Sequence, residues 1–547
     1  MTTPFRTILI VVAVVMTATC SRSVPLDPEL ALKSITDQDL ARDVSVLASD
    51  EYEGRKPGTR GEDLTVAFLE RRFRELGLAP GNPDGSYVQR VPLIAVTSAP
   101  TAFLTIHGRR MRLRSPQDFI ARSMFRQDRV TVPESEVVFA GYGIDAPEYG
   151  WNDYNGVDVK GKILLLLLGE PSRPAPADPT GSDPAFFRGI EQSYYATTRS
   201  KRDTGAAKGA TAEVFALGPS IDYEGVAANF RAEALDIDEQ KRARLPVQAA
   251  MPAGRLADLL AMEEYNLDSL IKRAQEPDFR AFPLKMTMSF DVTLRPRALE
   301  SRNVIAKLEG ADPRMRDEYV VFSAHWDAFG RDPTRTGDQI RNGAIDNALG
   351  VAQLLGLAEA FKKLPRAPRR SILFLVTTAE ESGLLGAKYY VENPLYPLAR
   401  TVASINLDNS FPYGRTSDVI NFGDGRSELD DLLREVAGTQ SRTVVPDPFP
   451  TEGFYFRLDH FEFANVGIPA ISPAAGIDVI GKPPGYGKAK VDEYLQRDYH
   501  EVGDEVRPDW DYGGAVQDTQ MDFLIGLRVA EMEGRPAWKA GAEFKRR

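Results

Sequence analysis

The sequence predicts an α/β protein: a three-layer α/β/α sandwich with a mixed, largely parallel sheet, plus a β-rich inserted unit. Two observations carry this. From about residue 297, apolar runs of strand length at 304–308, 319–324, 372–376 and 402–407 alternate with helical stretches around 347–363, 383–391 and 428–437. Strands alternating with helices imply a parallel sheet covered on both sides. Ahead of that region, from about 89 to 145, the texture is of short strands, and 163–168 is wholly apolar, as in a strand buried on both faces. The chain has 547 residues, 43% hydrophobic and 27% charged, a globular composition with room for more than one domain.

The elements follow in order. Arg6, an apolar run over 8–16 and small residues 17–19 form a secretory signal, residues 1–19. The run is too short to span a bilayer. Cys20 stands where a lipoprotein signal places its lipidated cysteine. The segment resembles a lipobox, with Thr17 and Thr19 at positions usually held by other residues. The expectation is an exported bacterial protein, periplasmic or outer-membrane-anchored, touching a membrane only through a lipid on Cys20. Residues 36–48 and 61–77 read as helices; in the second, Leu64, Phe68, Phe73 and Leu76 share a face and Gly77 ends it. Between them lies a turn-rich loop, Glu53-Gly54-Arg55 and Gly58-Thr59-Arg60-Gly61. Prolines 171, 174, 176, 179 and 184 mark a loop after the apolar strand. Val351, Leu354, Leu355, Ala358 and Phe361 form one face of the helix around 347–363. The expected division is 27–98 and 296–540 for the main domain and 99–295, with a core at 135–217, for the insertion.

Composition excludes several functions. Sixty-seven basic against 78 acidic residues leave a net charge of −11, unsuited to a nucleic-acid binder. A single cysteine rules out a disulfide framework and cysteine-rich metal sites. Gly476…Gly481-Lys482 imitates a phosphate loop, but Pro483 replaces the hydroxyl residue that holds magnesium. No Gly-x-Ser-x-Gly occurs, which disfavours a serine hydrolase of the α/β class. With four histidines, His107, His325, His460 and His500, any metal site must lean on carboxylates.

Taken singly, the polar residues of the second half have ordinary readings. His325-Trp326-Asp327 can be a structural pair, Asp346-Asn347 a helix cap, and Glu380-Glu381 a solvated turn. In order, however, they run His-x-Asp, Asp, Glu-Glu, Asp408, His500, and three of these groups end predicted strands, where parallel sheets bind ligands. Two divalent ions sharing a bridging carboxylate need five protein ligands. His325, Asp346, Glu381, Asp408 and His500 supply that set, leaving Asp327 as an orienting residue and Glu380 as a general base.

The local text, FSAHWDAFG, GAIDNALGVAQLL, TTAEESGLLGAKYY, SINLDNS and RDYHEVGDE, resembles the M28 family of co-catalytic zinc peptidases over about 297–510, with a further match around 53–61. That resemblance implies a phosphorylase/hydrolase-like sandwich of the zinc-exopeptidase type and an aminopeptidase that hydrolyses N-terminal residues of peptides. It implies two Zn2+, with other divalent ions also able to serve: His325 and Asp408 on one, Glu381 and His500 on the other, Asp346 bridging through a cis peptide to Asn347. Glu380 is similar to the family's base, and Tyr499 to a tyrosine that hydrogen-bonds the oxyanion. His460 matches a segment usually reading Ser-Asp-His, with Leu458 in place of the serine; it is expected to line the pocket, and His107 to be structural. Residues 135–217, with SEVVFAGYGI, VDVKGKILLLL and AAKGATAEVFAL, resemble a protease-associated (PA) domain. Two alternatives share the fold: a mono-zinc glutaminyl cyclase-like acyltransferase and a non-catalytic receptor-like relative. Nothing in the sequence sets an oligomeric state.

Overall fold

The computed structural model describes residues 26–176, 180–238 and 243–545. The expected signal and Cys20 lie outside the described residues. Four parallel strands order the main sheet: Ala470–Ile471, Thr401–Asn406, Tyr319–His325 and Ser371–Thr377 lie side by side in that sequence. Every residue of the middle two of these, Thr401–Asn406 and Tyr319–His325, is buried. Alternate side chains therefore enter two different cores. Val320, Phe322 and Ala324 face helices Asp37–Leu47, Arg60–Glu75, Gly350–Lys363, Leu429–Thr439 and Gly513–Glu531. Tyr319, Val321, Leu373 and Leu375 face Leu385–Glu392 and His460–Asn465. This is the three-layer sandwich. Gly526 permits the close approach of the last long helix: a Cβ there would stand 2.1 Å from the Phe322 ring.

The sequence places domain boundaries at 98/99 and 295/296; the structure runs continuous strands through both. Val88–Ile106 and Phe282–Leu308 pair antiparallel along their shared length. One end of the second strand pairs with Ser371–Thr377, the other with Arg129–Phe139 of the insertion. Main domain and insertion thus share one fourteen-stranded sheet. Pro100 pairs only with Val292 and Pro296 only with Val96, each at a point where its own strand has no partner on the other side, so neither is asked to donate to a second neighbour.

The insertion closes its own cores. Arg129–Phe139, Ile163–Leu167, Ala212–Leu217 and Val247–Pro252 run parallel, with Ile120–Arg122 antiparallel at the edge. Helices pack on both faces. A small apolar junction of Val91, Leu93 and Ile237 against Ala379 and Leu385 seats the insertion beside the helix Leu385–Glu392. Between the two halves lies a cavity of about 1080 Å3.

Candidate metal centre

His325 is the last residue of its strand, Glu380 and Glu381 follow the neighbouring strand Ser371–Thr377, and Asp408 follows Thr401–Asn406. Because the three strands are adjacent and parallel, their carboxyl ends meet at the cavity floor. Asp346 arrives from the segment Ala344–Leu349 ahead of helix Gly350–Lys363, and His500 from the turn after helix Tyr486–Arg497. The Asp346–Asn347 peptide is cis. Asn347 caps the helix by accepting from the Gly350 amide at 2.9 Å, and its Nδ2 donates to the Leu407 carbonyl at 3.0 Å, tying Asp346 to the strand that ends in Asp408.

The geometry is two-sided. His325 Nε2 is 3.1 Å from Asp346 Oδ1 and 3.3 Å from Asp408 Oδ1. His500 Nε2 is 3.1 Å from Asp346 Oδ2 and 3.2 Å from Glu381 Oε2. Glu380 Oε2 lies 4.0 Å from His325 Nε2. Donor atoms of His325, Asp346 and Glu381 gather within 4.8 Å of one another, as do those of His325, Glu380 and Asp408. Ala379 and His500 adopt left-handed backbone conformations, φ +52° and +62°, a strain that non-glycine residues hold where surrounding structure demands it.

Crowding shifts the ionisations. Burial, then the charges of Asp346 and its neighbour Glu380, push Glu381 well above the carboxylate range. Burial also lifts Glu380 well above it, His325 opposing and Asp408 adding. Burial works against a charged His325, but Asp408 and Glu380 outweigh it and hold the imidazole well above its ordinary value. Asp346 is held low: burial would raise it, and the two imidazoles overcome that.

The remaining expectations resolve as follows. Asp327 is buried, but His325 Nδ1 meets its backbone carbonyl at 3.1 Å, with the carboxylate at 3.8 Å. The Asp327 carboxylate instead accepts from the Glu380 amide at 3.0 Å, so it orients the Glu380 turn. Tyr499 lines the cavity, and its hydroxyl accepts from Arg457 Nη2 at 3.1 Å. His460 does not line the cavity: it is fully buried edge-on to Tyr455, both ring nitrogens lack partners, and burial drops its pKa to about 3. It is Asp459 beside it that approaches the site, accepting from the Thr377 hydroxyl. His107 holds a hairpin to the Met262 carbonyl at 3.1 Å.

Two residues escaped sequence reading. Arg55 is fully buried and donates to the carbonyls of Trp326, Leu47, Asn342 and Gly343 at 2.6–2.8 Å, clamping the segments that carry His325 and Asp346. Burial pulls its pKa down to about 10 against the charges of Asp504, Asp327 and Asp346. Asp504 accepts the amides of Ile345 at 2.8 Å and Asp346 at 3.0 Å, and the Tyr494 hydroxyl at 3.2 Å. The signals were a charged residue between glycine turns and a second acid four residues past His500.

Fold and site together define a sandwich with a candidate metal centre at the carboxyl ends of its parallel strands. Residues 303–524 match the model of Peptidase family M28, and this part of the chain is an M28 peptidase domain. A vacuolar membrane protease of Saccharomyces cerevisiae is 36% identical over 167 residues, 29% of this chain and 14% of that protein. Aminopeptidase NAALADL1 of Mus musculus is 35% identical over 136 residues, 24% of this chain and 16% of that protein. Such matches span 11–16% of the relatives' own length. The structure of an aminopeptidase from Aneurinibacillus sp. strain AM-1 is 17% identical, with a TM-score of 0.49, covering 95% of this chain and 100% of that one. The relatives overturn the expected location: they are eukaryotic, several named as vacuolar membrane proteases, not exported bacterial proteins of the periplasm or outer membrane. Among the described residues no helix is long and apolar enough to cross a membrane.

Proposed function

We propose that the chain is a metal-dependent aminopeptidase holding two divalent ions, zinc foremost, with Asp346 between them. The observation that carries this is the symmetry about Asp346: one carboxylate oxygen faces His325 beside Asp408, the other faces His500 beside Glu381. The donor set fits metal. His500 Nε2 is close to two carboxylates yet makes no properly directed hydrogen bond to either, the arrangement expected when lone pairs aim at a common cation. Four carboxylates gathered in one recess also call for positive charge. His325 and Asp408 would hold one ion, His500 and Glu381 the other.

Bound there, divalent ions polarise a carbonyl and make water acidic enough to attack at neutral pH. The chain supplies the rest. Glu380, its turn fixed by Asp327, takes the proton of the attacking water and hands it to the leaving amine. Tyr499, braced by Arg457, donates to the oxygen on which negative charge grows. The carboxylates suit a free ammonium, and the insertion narrows the approach. Naming of the mouse relative as an aminopeptidase supports the same reading. The test is turnover of aminoacyl anilides, free and N-acetylated, with and without chelator. Free substrates should be cleaved faster by about tenfold or more, and chelator should stop cleavage. Equal cleavage of both forms points to an endopeptidase or deacylase instead.

A further inference from the structure

One polar row crosses an apolar face of the insertion's sheet. Gln248 pairs with Arg122 on one side and with Glu213 on the other, so the three side chains leave the same face. Two residues along on each strand, that face carries Ile120, Ala250 and Phe215, all in an apolar core. Glu213 is buried and accepts from Arg202 Nε at 2.7 Å, while its Oε2 has no partner. Arg122 has no carboxylate within ion-pair distance among the described residues. Its contacts are the amide oxygens of Gln248 and Asn229, each at 3.3 Å, and the face of Phe230 at 4.6 Å. Two guanidiniums thus share one hydrogen-bonded carboxylate, and Asp236 acts on Arg122 only as a charge beyond ion-pair distance, so the Arg122 fork has no carboxylate bound to it. Burial, and after it the Arg202 charge, pull Arg122 down to about 10 against the opposing charges of Asp236 and Glu213.

The row does not face bulk solvent. Arg122, Arg202, Gln248 and Asn229 line the same cavity as His325 and Asp346. A half-buried guanidinium is costly without an anion, and its planar fork matches a carboxylate through two parallel hydrogen bonds. We propose that this end of the cavity is a carboxylate subsite that receives the C-terminal carboxylate of a short peptide whose N-terminus lies at the Asp346 cluster. The inference rests on the aminopeptidase reading and sharpens it: the substrate is a short peptide with both ends free. The cavity volume, about 1080 Å3, stands at the upper edge of the roughly 300–1,000 Å3 of small-molecule sites, which suits a few residues rather than a polypeptide.

The test uses the full chain and a ladder of short peptides, each as free acid and as C-terminal amide. At the matching length, kcat/KM for the acid should exceed that for the amide by about tenfold or more, chiefly through KM. In Arg122→Gln the ratio should fall to within about twofold of one, with Arg122→Lys in between, because an ammonium lacks the fork. An amide ending in Glu, compared with one ending in Gln, distinguishes a side-chain carboxylate from the terminal one; preference for the Glu amide with no preference for free acids overturns the assignment to the C-terminus. Acid and amide cleaved equally by the natural chain at every length overturn the subsite while leaving the aminopeptidase intact. If neither is cleaved, the aminopeptidase reading fails, and equilibrium binding decides the subsite alone: tighter binding of the acid by about tenfold supports it, equal binding refutes it.

Discussion

Asp504→Asn tests whether Asp346, the proposed bridging carboxylate, is aimed from behind. Asp504 touches no reacting group; its two oxygens accept the amides of Ile345 and Asp346 at 2.8 and 3.0 Å and so fix the backbone from which Asp346 projects. The amide of asparagine presents one acceptor and one donor, so one backbone N–H is left facing another N–H. An unpaired buried donor costs about 1–3 kcal/mol. Loss of a group that orients a metal ligand weakens metal affinity by about 10–100-fold, or about 1.4–2.7 kcal/mol. The part of that cost specific to the metal-bound geometry appears as lost metal affinity, and the part present in the metal-free fold appears as lost stability. Competition with a chromophoric chelator measures the affinity, and urea unfolding of the metal-free chain measures the remainder. Affinity within about twofold of the natural chain, with unchanged metal-free stability, would refute this role.

Three further outcomes are expected. Glu380→Gln should keep two metals per chain while losing about 10²–10⁴ in turnover, whereas Glu381→Gln should lose about one metal; mass spectrometry beside an activity assay separates them, and the opposite pattern swaps the roles. Stripping the metal should lower the unfolding midpoint, because an ion that binds only the folded chain stabilises it, and adding zinc at about 100 times its Kd should restore about 2.7 kcal/mol; no shift in a thermal melt counts against a metal site. Lys201 is buried on the carbonyls of Tyr142 and Gly169, both at 2.6 Å, and burial pulls its pKa down to about 7 against Asp153 and Glu170. Between pH about 7 and about 10 the unfolded chain holds a proton that the folded chain has released, so stability should rise with pH; Lys201→Met should lack that rise, and parallel urea-midpoint curves sink the idea.

Of the candidate ligands, His325, Glu381 and Asp408 were legible because each ends or follows a buried strand, and parallel strands deliver their ends to one place; Asp346 and His500, carried by a segment before a helix and a turn after one, were legible only through the local text around them. Arg55 and Asp504 were not, because they work on backbone carbonyls and amides, which leave no pattern of side-chain types. The helix Gly513–Glu531 escaped for another reason: buried around most of its circumference, it has no apolar stripe to find. His460 misled because a motif fragment survives around it, while its surroundings in space are apolar.

The ribbon shared by Val88–Ile106 and Phe282–Leu308 governs how anything enters. A cover hung on slack linkers swings like a door. This one is mounted on a hydrogen-bonded spring 19 residues long, about 60 Å, whose softest stretch is the part only two strands wide. Any widening of the chamber would have to twist that ribbon rather than swing on a free hinge. The same mounting resists transplantation. Cutting the insertion away would expose two long strand edges, a template for aggregation, so its removal should damage the remaining enzyme rather than simply open it.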